Sequence, residues 1–242
     1  MHKSKGFRKF VSRLKNFSED METLDVFCKN IASFSNDETL FNGVTMKHPN
    51  LNKKQPTKHN RILVSTHLKH TLYVSLIKEL YEELMIYLNY ILTFSALSSP
   101  EPSRLVGSDQ KVNMNANDIL SLDTKEDIVA RIMRDIFRKL ENKRDTLLLI
   151  GELNERLGLG IDQGIVNKAM PYLDARHKFV HTDGLVDDTY KGQYPNVKLD
   201  DDGYIKLNYS IMKSAFLSIM SLADEFEKKM ALKNYFPQTE YR

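Results

Sequence analysis

Tryptophan is absent from this chain of 242 residues, and cysteine occurs once, at Cys28. A lone cysteine excludes an intramolecular disulfide framework and any metal cluster built on thiolates, and it suits a reducing cytosol. No apolar run approaches the ~20 residues needed to span a bilayer. The long apolar stretch at 72–97 is broken by Lys78, Glu79, Glu82 and Glu83. Residues 1–20 are basic without a continuous apolar core, which is not the pattern of a secretory signal. There is no Gly-x-Ser-x-Gly elbow and no internal repeat, and Gly158-x-Gly160 is too sparse for a phosphate loop. The expectation is a soluble, cytoplasmic protein with no membrane association and no cofactor.

What is present supports a real core: 41% of residues are apolar and 28% charged. Net charge is only +3, yet residues 1–70 hold 13 Lys/Arg against 6 Asp/Glu, leaving the remainder at −4. A basic portion of this kind suits salt-sensitive contact with phosphate backbones or, at so modest a charge, an ordinary solvated face.

Apolar spacing of three and four predicts helices along most of the chain. Phe7, Phe10, Val11, Leu14 and Phe17 mark one over 4–17, and Leu24, Phe27, Cys28 and Ile31 a second over 20–34. The polar stretch 36–60 reads as a boundary, giving a basic N-terminal helical extension (1–60), a bundle (61–232) and a short tail (233–242). A long helix over 62–97 ends at Ser98-Ser99-Pro100, and a loop of roughly 20 residues follows. Asp123 and Thr124 open a helix over 125–141, 147–157 forms another, and Gly158-Leu159-Gly160 stops it. Asp162 caps the next helix, in which Pro171 forces a kink or a new start. Residues 196–208 read as a β-hairpin around Asp200-Asp201-Asp202-Gly203, and a last helix covers 209–231. The fold class is all-α, an antiparallel helical bundle with a small β-hairpin before the last helix.

One segment carries chemistry: Ala175-Arg176-His177-Lys178-Phe179-Val180-His181, followed by Thr182-Asp183-Gly184. Arginine can grip a phosphate through two parallel hydrogen bonds, and histidine can exchange a proton near neutral pH. The spacing Arg-polar-x-x-x-His at a helix end resembles the signature of the HEPN superfamily, and the likeness spans roughly residues 62–231. The resemblance implies a metal-independent endoribonuclease in which the RNA 2′-hydroxyl attacks the adjacent phosphate. The products are a 2′,3′-cyclic phosphate and a 5′-hydroxyl. It gives Arg176 the phosphate, His181 the proton transfer, and His177 a positioning or RNA-contacting role. It also implies RNA as substrate, a homodimer with a composite site, and a toxin or antiviral-defence setting with an antitoxin or defence partner. An acidic residue on the long helix is expected near the motif, for which Glu83 is the candidate. Asp183 stands where some HEPN toxins carry a modifiable tyrosine, so that control is not expected here, and Asp183 is with Glu83 a candidate for positioning the substrate. Lys178 and the row Arg131, Arg134 and Arg138 are RNA-contact candidates.

Five helical positions turn through about 140°, so Arg176 and His181 converge only if the helix ends before His181 or two copies meet. Other readings stay open. The bundle can be a catalytically silent module that binds nucleic acid, nucleotide or a partner protein, or a plain interaction protein. The arginine row can be an exposed face with local ion pairs. His177 and His181 share a helix face and could join Asp174 or Asp183 around a metal, but no third ligand is evident, so no metal site is expected. His67 and His70 read as a polar edge of a buried helix, and Asp200–Asp202 as a turn rather than a calcium loop.

Overall fold

The computed structural model describes residues 3–33, 57–98, 114–143 and 145–237. The expected boundary up to residue 56 and the loop over 99–113 lie outside the described residues. The chain forms a helical bundle. Its elements are α1 (Lys5–Ser33), α2 (Lys58–Ser98), the short α3 (Ala116–Leu120), α4 (Lys125–Glu141), α5 (Thr146–Leu157), α6 (Gln163–His181), the short α7 (Asp188–Gln193) and α8 (Tyr209–Leu232). No described helix is long and apolar enough to cross a membrane.

The central element is α2, 41 residues without Gly or Pro and therefore about 60 Å long. Leu76, Ile77, Leu80, Leu84, Leu88, Ile91 and Leu92 form its buried stripe, and α1, α4, α6 and α8 pack around it. Caps set several helix boundaries. Thr124 accepts from the Asp127 amide at 3.1 Å, Asp145 from Leu148 at 2.8 Å and Asn208 from Ile211 at 2.9 Å. Gly158, at φ 60°, closes α5 in the left-handed conformation that a Cβ disfavours.

The two expected N-terminal helices are one. Nothing between Phe17 and Met21 breaks a helix, and Phe7, Phe10, Leu14, Met21, Leu24 and Cys28 face the same core as α2. The N-terminus of α1 is bolted to α8 by the fully buried Glu227. The Ser4 amide and hydroxyl donate to its two oxygens, the latter at 2.9 Å, and Tyr87 of α2 donates at 2.8 Å. Beside them Lys3 pairs with Asp224. Gly6 sits where a Cβ would come within 2.3 Å of the Tyr90 ring. Residues 3–33 thus belong to the main body. So does the start of the expected tail, where Phe236 is buried and the Tyr235 hydroxyl donates to the Leu157 carbonyl at 3.1 Å.

No strand ladder forms in the expected hairpin. The segment makes two isolated antiparallel bridges, Leu199 with Ile205 and Leu185 with Tyr204. Tyr204-Ile205 is shared between two partners, since the Ile205 amide donates to the Gly184 carbonyl at 2.9 Å. The turn residues are as expected, with Asp200 accepting from the amides of Asp202 and Tyr204.

Candidate functional site

The Arg-His segment occupies the last two turns of α6. Asp162 caps that helix through the amides of Gly164 and Ile165, and Pro171 is carried within it rather than starting a new one. The helix runs as far as His181, not short of it. Beyond it the Thr182 and Gly184 amides both return to the Lys178 carbonyl, at 2.9 and 3.1 Å. Asp183 takes φ 53° and Gly184 φ 92°. A Cβ at Gly184 would come within 2.7 Å of the Phe179 ring, so glycine is demanded by both backbone and space.

The end of α6 opens onto a cleft of about 550 Å³ walled by Tyr81 of α2, Glu141 of α4, the N-terminus of α5 and the short α7. Arg176, His177, Lys178 and His181 all line it. The two imidazoles stand with ring centroids 4.4 Å apart, as i, i+4 neighbours must. Arg176 lies over the Tyr81 ring at 4.9 Å, and its Nη2 donates to Glu82 Oε1 at 3.0 Å. Its Nε is buried without a partner. Lys178 is held by Asp187 at 2.6 Å, the residue that also caps α7 through the Tyr190 amide.

Carboxylates are plentiful here. Glu141, Asp145, Asp174 and Asp187 line the cleft. Burial pushes the Asp174 carboxyl up against the lowering effect of hydrogen bonds from Tyr194 and Thr146. Burial likewise raises Glu141, helped by the charge of Glu82 and opposed by Arg176 and Arg138. Both acids therefore keep a proton to higher pH than exposed ones. Asp187 is the exception. Its carboxyl is lowered by Lys178 and by the Tyr190 amide.

Not all expected site residues gather here. Glu83 points the other way, to Arg13 of α1 at 3.7 Å, and Glu82 is the acid that meets Arg176. Adjacent residues on a helix diverge by about 100°, and α2 is packed by α1 on one side and α6 on another, so the choice between them rests on packing alone. Asp183 lies outside the cleft, on a groove beside Asp25 and Lys69. Arg134 and Arg138 flank a smaller groove of about 220 Å³ that meets the cleft at Glu141, whereas Arg131 is paired along its own helix with Asp135 at 3.4 Å. Tyr81, Glu141 and Asp174 carry no motif. Only the capping pattern of Asp187 ahead of Tyr190 signals α7, which is six residues long.

No group of three or more His, Cys, Asp or Glu suited to a metal ion occurs among the described residues. Compared with known proteins, the chain matches no family model, no curated protein and no solved structure.

Proposed function

We propose that the chain is a metal-independent endoribonuclease of the HEPN type, acting at the cleft where α6 ends. One observation carries the reading: Arg176, His177, Lys178 and His181 face a single cleft large enough for a nucleotide unit. A phosphate entering it displaces Glu82 from the planar guanidinium of Arg176, which is built to bind two of its oxygens. His181 takes the proton of the RNA 2′-hydroxyl as that oxygen bonds to phosphorus. The bond from phosphorus to the 5′-oxygen breaks, and that oxygen takes a proton from the neighbouring imidazole of His177. The products are a 2′,3′-cyclic phosphate and a 5′-hydroxyl, with no atom left over. Arg134 and Arg138 extend the phosphate path along α4.

Because α6 continues to His181, the ~140° between it and Arg176 is not closed by an early helix end. Both nonetheless line the one cleft, and the proposed active form is a homodimer in which the facing segment of a second copy completes a composite site around it. A toxin or antiviral-defence role, held in check by a partner protein, fits such an enzyme.

A second reading is favoured by one feature. The two permanent cations of the cleft are already met by Glu82 and Asp187, and its walls are acidic. A catalytically silent bundle that binds a partner would tolerate this arrangement. Incubation of a mixed tRNA and mRNA pool in EDTA separates the two. The enzyme yields fragments ending in 2′,3′-cyclic phosphate, lost in Arg176→Ala and His181→Ala variants of unchanged melting temperature. Intact RNA after incubation with folded, dimeric protein rejects the ribonuclease.

A further inference from the structure

A second pocket, of about 400 Å³, adjoins the cleft and shares Tyr190 and Gln193 with it. Its chemistry is the reverse of the cleft's. Lys168, Lys198 and Lys206 line it, and no Asp or Glu does. None of the three lysines forms an ion pair among the described residues. Lys198 and Lys206 are moreover cross-strand neighbours. The Lys206 amide donates to the Lys198 carbonyl at 2.9 Å, next to the Leu199–Ile205 bridge. Like charges placed directly opposite repel, and an anion between them relieves that.

The walls are aromatic. Tyr172 and Tyr194 are half-buried, and Tyr190 stands edge-on to Tyr194 at 4.9 Å with its hydroxyl fixed on the Pro171 carbonyl at 2.8 Å. Flat rings of this kind offer stacking surface to a base. Polar groups for a base edge are present as well. Pro171 has no N–H to give the Asn167 carbonyl one turn back, and both residues line the pocket. The Asn167 side-chain oxygen is taken by Gln163 at 2.8 Å, which orients its amide hydrogens as donors.

We propose that this pocket binds a nucleotide, its base against Tyr172 and Tyr194 and its phosphate on Lys198 and Lys206. The volume falls within the ~300–1,000 Å³ of small-ligand sites. The site stands apart from the ribonuclease reading. It uses neither Arg176 nor His181, and it holds whether or not the cleft cuts RNA. The same chemistry can arrive as a free nucleotide or as one residue of an RNA strand.

Isothermal titration of the full chain with AMP, ATP, hexaadenylate carrying 2′-deoxy sugars, adenosine and inorganic phosphate tests this. AMP or hexaadenylate should bind saturably, and more tightly than adenosine or phosphate alone. A Lys198→Ala/Lys206→Ala double variant, folded by circular dichroism, should bind at least about tenfold more weakly, the effect of losing charge-assisted hydrogen bonds. Binding of AMP and ATP identifies a free nucleotide as the ligand, and binding of hexaadenylate alone, weakened in the double variant, identifies a strand. The proposal is overturned by no saturable binding at about 5 mM of any nucleotide. Equal affinity in the double variant, or phosphate binding as tightly as AMP, overturns it too.

Discussion

Replacing Glu82 by glutamine is expected to release Arg176 without loosening the fold. The ion pair spans 3.0 Å, but 31% of the Arg176 side chain and 52% of the Glu82 side chain are exposed. Water and salt screen such a pair to about 0–1 kcal/mol. Arg176 retains its seat on the Tyr81 ring, an interaction of about 0.5–1 kcal/mol at this exposure. The melting temperature should therefore fall by no more than about 4 °C. The carboxylate that competes with phosphate for the guanidinium is gone, so RNA affinity should rise by up to about fivefold, the equivalent of that ~1 kcal/mol. Fluorescence anisotropy with a labelled RNA carrying a 2′-deoxy sugar at the scissile position reads binding without cleavage. Unchanged or weaker binding by a variant of normal stability would refute Arg176 as the phosphate clamp. A fall in melting temperature beyond about 8 °C would make the pair structural.

Three other outcomes follow from the geometry. Glu227→Ala strands the Ser4 amide, the Ser4 hydroxyl and the Tyr87 hydroxyl, and should cost about 3–5 kcal/mol in urea unfolding; a loss under about 1 kcal/mol would show that water replaces the carboxylate. Gly6→Ala would ordinarily favour a helix by about 1 kcal/mol, but here it drives a methyl into Tyr90, so a net destabilisation of about 1–3 kcal/mol is expected, and a gain in stability would mean that Tyr90 swings clear. Asp174 is raised above 3.8 by burial. Its contribution to stability is therefore present in acid, below the unfolded value, and is lost as pH climbs through the folded one. Asp174→Asn keeps an acceptor for Tyr194 and cannot ionise, so its urea midpoint should fall less than that of wild type as pH rises above the unfolded value of 3.8. Parallel curves would assign the pH response to other groups.

Helix existence was legible because each long helix writes its own signal locally. α2 shows an unbroken apolar stripe, α4 opens on Thr124 and α5 closes on Gly158. The merging of two expected N-terminal helices into α1 was not legible, since Ser18, Glu19 and Asp20 are indifferent residues whose state is decided by tertiary packing. The expected hairpin dissolved into single bridges because Ile205 has a second partner, Gly184, that no local pattern announces. At the site, Arg176, His177 and His181 were legible as a motif. Tyr81 and Glu141 were not, because they reach the cleft from two other helices, and neither was Glu82, which meets Arg176 from α2. Choosing Glu83 over Glu82 shows the limit. The sequence marks a face of a helix, and only the packed neighbours say which partner that face meets.

The buried carboxylate that joins Ser4 to Glu227 also orders events during synthesis. Its two ends are 223 residues apart in the chain. At ~5–20 residues per second, about 10–45 s separate their emergence from the ribosome. Through that interval α1 carries Phe7, Phe10 and Leu14 with no α8 to anchor its start. In that interval α1 has its main partner, α2, already made, and what waits for α8 is the set of bonds from Ser4 to Glu227. A chain that stops short of Glu227 keeps the packing of α1 on α2 but leaves the Ser4 amide and hydroxyl without that acceptor.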